Sequence, residues 1–88
     1  MKIFSPFIHE DFAANPAKYA LFKTAIVITN VITHDGENDL ERGTIVGVRH
    51  VRNAWNALRR REEPIYAITK DGEHWGMLYA NALADFTL

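Results

Sequence analysis

Cysteine is absent from this 88-residue chain, which removes disulfides, thiolate metal ligands and cysteine nucleophiles together and points to a reducing compartment. Serine occurs once, as Ser5 directly before Pro6, so an activated serine nucleophile has no suitable seat. No segment approaches the ~18 apolar residues that cross a bilayer, and Met1-Lys2-Ile3-Phe4-Ser5-Pro6 lacks a signal-peptide core. The expectation is a cytoplasmic protein with no membrane partner. Net positive charge is also missing: the formal charge is −1 and the pI about 6.4, whereas indiscriminate nucleic-acid binding needs a net basic face.

The usual catalytic signatures are missing too. His9, His34, His50 and His74 are scattered, with no His-Glu-x-x-His spacing and no glycine-rich phosphate loop. The run His34, Asp35, Glu37, Asp39 does not have EF-hand spacing and reads as a solvated turn. His9-Glu10-Asp11 reads as the acidic first turn of a helix, and His50 and His74 as structural strand residues. No catalytic residue, metal or cofactor is therefore expected, and the chain is read as non-enzymatic.

What is present is an ordinary globular composition, 48% hydrophobic and 24% charged, suited to one domain over 1–88. A chain of this size buries only about 60% of its unfolded surface, so a second copy would be an easy way to enlarge the core. Residues 1–22 read as a helical lead-in, because Ser5-Pro6 and Asn15-Pro16 each place a capping residue before a proline, giving helices near 6–14 and 16–22. Its aromatics, Phe4, Phe7, Phe12, Tyr19 and Phe22, are too many for water on so small a domain and read as a lid over a sheet.

From Lys23 to Thr33 the period becomes two, with Ala25, Val27, Thr29, Val31 and Thr33 alternating against Thr24, Ile26, Ile28, Asn30 and Ile32. A polar loop from His34 to Asp39 follows, read as a longer excursion ending at Gly43 in preference to a two-residue Asp35-Gly36 turn. Thr44 to Val51 forms a second strand. Asn53 then caps a short helix over 54–62, favoured by the propensity of Ala57 to Glu62 and ended by Pro64; the competing form is a long hairpin with an arginine-rich tip. Ile65 to Lys70 and Glu73 to Ala80 make a hairpin on Asp71-Gly72, the favoured type I′ pair. A two-residue turn sets Ile68 opposite Trp75 and Tyr66 opposite Met77, placing Tyr66, Ile68, Trp75, Met77 and Tyr79 on one face. Asn81 to Ala84 reads as a single helical turn and Asp85 to Leu88 as a closing strand.

This order of elements resembles the SH3-like small β-barrel over residues 23–88: a strand, a long acidic loop, a strand opening on Glu41-Arg42-Gly43-Thr44-Ile45-Val46, a variable excursion, a hairpin, a one-turn helix and a last strand. The lead-in and the helical excursion depart from that pattern. The resemblance implies a mainly β (α+β) antiparallel barrel of about five strands and a scaffold for binding, without assigning any single activity.

The sharpest feature is the stretch Arg42 to Arg61, which holds all six arginines and no acidic residue. As a helix, Arg59, Arg60 and Arg61 would fan over about 200°, too wide for one internal salt bridge, and arginine serves planar recognition and interface hot spots. The plain alternative is neutralisation by Glu62, Glu63 and the acidic loop 35–41, within the chain or across a dimer. The functional expectation is a small protein-binding module in which Arg49, Arg52, Trp55, Arg59, Arg60, Arg61, Tyr66, Trp75 and Tyr79 meet another protein or a second copy of the chain. By analogy, such free-standing domains are common among phage and mobile-element accessory proteins that dock onto and inhibit a host machine. The alternative is a nucleic-acid-binding small barrel using the basic patch from Arg49 to Arg61 with Trp55 stacking, which the adjacent anionic loop disfavours.

Overall fold

Alternation of apolar residues in the second half of the chain produces five antiparallel strands, β1 (Thr24–Val27), β2 (Ile45–Asn56), β3 (Arg61–Lys70), β4 (Glu73–Tyr79) and β5 (Leu83–Thr87). Two short helices, α1 (His9–Ala14) and α2 (Pro16–Tyr19), precede them, and a one-turn 3-10 helix, Ala80–Ala82, separates β4 from β5. The computed structural model describes residues 4–33, 36 and 39–88. The chain is mainly β, and its single sheet runs in the order β4-β3-β2-β1-β5. β4 and β5 are its two edges, so the sheet is open and the expected barrel does not close.

Helix α2 begins at Pro16 after Asn15, as the Asn-Pro pair requires. Ser5-Pro6 behaves differently. Ile8, with no side-chain capping bond, precedes α1, while Pro6 bridges Ala84 and the Asp85 amide donates to the Ser5 carbonyl at 3.0 Å. The segment before α1 therefore runs along the outer edge of β5 instead of starting a helix. β1 is also shorter than its β-branched run suggests. The Gly43 amide, at φ +96°, donates to the Val27 carbonyl at 2.7 Å, ending regular pairing, and only an isolated Val31–Leu40 bridge follows. Most of the polar loop, His34, Asp35, Glu37 and Asn38, lies outside the described residues.

One face of the sheet carries the core. Ala25, Val27, Val46, Val48, Tyr66, Ile68 and Leu83 are buried there with Leu40 and Ala80, and the lead-in closes over them. Tyr19 is the hub of this lid: its ring meets Phe7, Phe12 and Phe22 edge-on with centroids 5.6, 5.5 and 5.2 Å away. Aromatic pairs in such geometry contribute about 0.5–1.5 kcal/mol each beyond the area they bury. The Tyr66 hydroxyl donates to the Tyr19 carbonyl at 2.7 Å, tying lid to sheet. Burial pushes the ionisation of Tyr66 upward; for Tyr19 burial and then its 2.6 Å hydrogen bond to Asp11 do the same. Asp11, bonded by Lys18 and Tyr19, is held below the usual carboxylate range.

The β3–β4 hairpin turns on Asp71 and Gly72, both at positive φ as a type I′ turn demands. Lys70 pairs with Glu73 and Thr69 with His74 as expected, but the register then shifts by one residue, so that Ile68 pairs with Gly76 and Tyr66 with Leu78. The bulge at Trp75 turns the indole towards the core cluster and leaves Met77 and Tyr79 on the opposite face from Tyr66, correcting the single aromatic face expected from an unbroken ladder.

Candidate docking site

The segment expected to be helical, 54–62, is instead the far end of a long β2–β3 hairpin. Nine pairs run from Gly47↔Thr69 to Asn56↔Arg61, with a bulge between His50 and Arg52. Helix propensity survives there for a single turn. The Asn56 carbonyl accepts from the Arg59 amide at 3.2 Å and the Arg60 amide at 2.7 Å, and Arg60 then takes a left-handed φ of 54° that ends the turn as helix C-termini commonly end. Local propensity loses because β2 and β3 register their whole length against each other, which no isolated helical turn can match.

Asn56 and Glu63 brace this tip from inside. Asn56 Oδ1 accepts from the Leu58 amide at 3.1 Å, an Asx-type bond, and Asn56 Nδ2 donates to Glu63 Oε1 at 3.3 Å. Arg61 Nε donates to the other carboxylate oxygen at 3.0 Å. Glu63 is fully buried, and both its oxygens are bonded, one of them to a guanidinium, as a buried carboxyl group requires. Tyr79, on β4, crosses to donate its hydroxyl to the Trp55 carbonyl at 2.9 Å.

The arginines therefore split into two sets. Arg61 is spent on Glu63. Arg59 lies back against the 3-10 helix, where the Asn81 amide, oriented to satisfy its neighbours, offers one oxygen to Arg59 Nε and Nη2, both at 2.7 Å. Arg49, Arg52 and Arg60 are exposed and have no ion pair or side-chain hydrogen bond with any described residue. Arg49 pairs with Ala67 and Arg52 with Ile65, on the sheet face away from the core, whereas Trp55 pairs with Glu62 on the other face. The indole and these two guanidinium groups thus do not line one groove, as a stacking-plus-phosphate site would need.

The aromatic residues expected at a docking face also separate. Tyr66 has no exposed surface and belongs to the core; Trp75 is part-buried against it. Tyr79 is half-buried and braces the hairpin. Trp55 is 63% exposed, and beside it on the tip Leu58 is 95% exposed. Leu58 is not among the docking residues expected from the sequence. Asn56, two residues before it and able to bond its own backbone, was the signal for a turn there. Nothing local marks Glu63 for full burial.

Between the tip and the 3-10 helix lies a cleft of about 290 Å³ lined by Thr29, Asn56, Leu58, Arg59, Leu78, Tyr79, Asn81 and Ala82. Among the described residues no group of histidine and carboxylate side chains converges as metal ligands would, and no helix is long and apolar enough to cross a membrane. Comparison of the chain with protein-family models, with curated proteins and with solved structures finds no match in any of the three.

Proposed function

We propose that this chain is a non-enzymatic docking module that presents the tip of its β2–β3 hairpin to an apolar, acid-rimmed site on another protein. The observation that carries this reading is Leu58 at 95% exposure on a turn whose backbone Asn56 already fixes, with Trp55 63% exposed at the end of β2 that leads into it. An isolated exposed leucine is unremarkable. A leucine held outward on a braced turn would contribute about 1.5–3 kcal/mol when buried by a partner, with little ordering cost at association, and the exposed Trp55 indole at the strand end adds apolar area. Arg60, exposed on the tip between Leu58 and Arg61, supplies charge at the rim, where complementarity governs partner choice and association rate.

The scaffold beneath is read as SH3-like in its order of strands, acidic loop, hairpin, one-turn helix and closing strand, with an open sheet and an added lid. Its role is to hold the hairpin. Photo-crosslinking tests the docking reading: benzoylphenylalanine replacing Leu58 yields one dominant adduct in the cell that makes the protein, and yields none when Trp55→Ala and Arg60→Gln are added. An adduct that persists in that variant, or none from the parent, defeats the reading. An adduct of twice the 10.0 kDa chain mass makes the partner a second copy, and one with nucleic acid overturns protein docking.

A further inference from the structure

The cleft beside Arg59 has a chemistry of its own. Its walls are apolar on the Leu58, Leu78 and Ala82 side, and no acidic residue lines it. Glu63, in contact with Asn56 of the lining, has both oxygens engaged by Asn56 and Arg61. The Arg59 fork directs two donors, Nε and Nη2, onto the single neutral oxygen of Asn81. A carboxylate presents two anionic oxygens at the spacing of that fork, and charge-assisted pairs are roughly twice as strong as neutral ones.

We propose that this cleft recognises a carboxylate carried next to an aliphatic side chain, on an acidic segment of the partner protein, with Arg59 exchanging Asn81 for the incoming group. The aliphatic part lies against Leu58 and Leu78 while the carboxylate takes the guanidinium. Charge complementarity selects the occupant: Arg61 is paired with Glu63, but Arg60, next to Arg59, is exposed without a described partner, and Arg59 itself faces only the neutral oxygen of Asn81. The inference rests on the docking reading and specifies what the partner offers.

The test uses small probes and the whole chain. N-acetyl-leucine, titrated into ¹⁵N-labelled protein, moves the Arg59 Nε and Asn81 side-chain amide resonances saturably, and N-acetyl-leucinamide at equal concentration moves them less than a fifth as far. Arg59→Lys weakens the response at least fivefold. Asn81→Asp, which supplies an internal carboxylate to the same fork, abolishes it while the backbone spectrum stays folded. Equal response to acid and amide, no response, binding unchanged in Asn81→Asp, or tighter response to inorganic phosphate overturns the proposal. A silent titration together with a surviving Leu58 crosslink removes the carboxylate site alone; loss of the crosslink with a carboxylate-specific titration removes the docking reading alone.

Discussion

The hydroxyl of Tyr79, on edge strand β4, is bonded to the carbonyl oxygen of Trp55, on β2, with β3 lying between the two strands. Tyr79 pairs with Ile65, and Ile65 and Glu63 share a face of β3, so the phenol spans the side of β3 on which both are buried. Every residue of β3 from Glu63 to Ile68 is buried: Tyr66 and Ile68 on the core face, Glu63 and Ile65 on the face that Tyr79 shares. Tyr79→Phe removes the hydroxyl and keeps the ring. It is expected to cost about 0.5–1.5 kcal/mol and to speed amide exchange in 55–62 while leaving β1 and β5 protected. Uniform loss of protection would show that the bond holds no local unit.

Glu63 gives a sharper effect because it is buried. Glu63→Ala leaves Asn56 Nδ2 without its acceptor and Arg61 without its counter-ion, and is expected to destabilise by about 1–3 kcal/mol. Glu63→Gln keeps an acceptor for one partner and falls between. Denaturant midpoints of the three proteins check the order; equal midpoints for wild type and alanine would show that the buried carboxylate contributes nothing.

Much of this was legible in the residues. The alternation from Thr24 to Val27 and Thr44 to Val51, the Asp71-Gly72 turn, the aromatic lid and the single helical turn before the last strand all follow from local pattern. Two bulges were not legible. At Val51 and Trp75 one extra residue changes which face the later positions occupy, and nothing in composition marks either place. The site was less readable still, because the exposure of Leu58 follows from the length over which β2 and β3 pair, the burial of Tyr66 and part-burial of Trp75 follow from packing against elements distant in sequence, and Arg59 is engaged by Asn81, 22 residues on. Of the expected docking residues, Arg49, Arg52, Trp55, Arg59 and Arg60 are exposed, Arg59 with its guanidinium engaged by Asn81.

Alkaline pH reports on the lid. Tyr19 and Tyr66 are both held above the ordinary tyrosine value of 10.0. Below that value both are neutral in either state and stability does not respond to them. Above it the unfolded chain releases protons that the fold retains, so stability falls as pH rises past 10. Absorbance of ionised tyrosine is expected to rise together with loss of circular dichroism for these two groups, and Tyr66→Phe to reduce the coupled amplitude. Ionisation of all three tyrosines well before unfolding would contradict the buried lid.

Arg60 separates fold from function most cleanly. Its φ of 54° costs a side chain with a Cβ about 1 kcal/mol that glycine does not incur, and no described residue bonds its guanidinium. Arg60→Gly is therefore expected to leave stability unchanged or raise it by up to about 1 kcal/mol, with the thermal midpoint moving upward. The same substitution removes a cation from the tip, so the Leu58 crosslink is expected to weaken severalfold and its salt dependence to flatten. A stabilised variant with an unchanged crosslink would make Arg60 a bystander. A destabilised one would reveal a structural partner for it and account for its retention at a glycine-favouring position by stability alone.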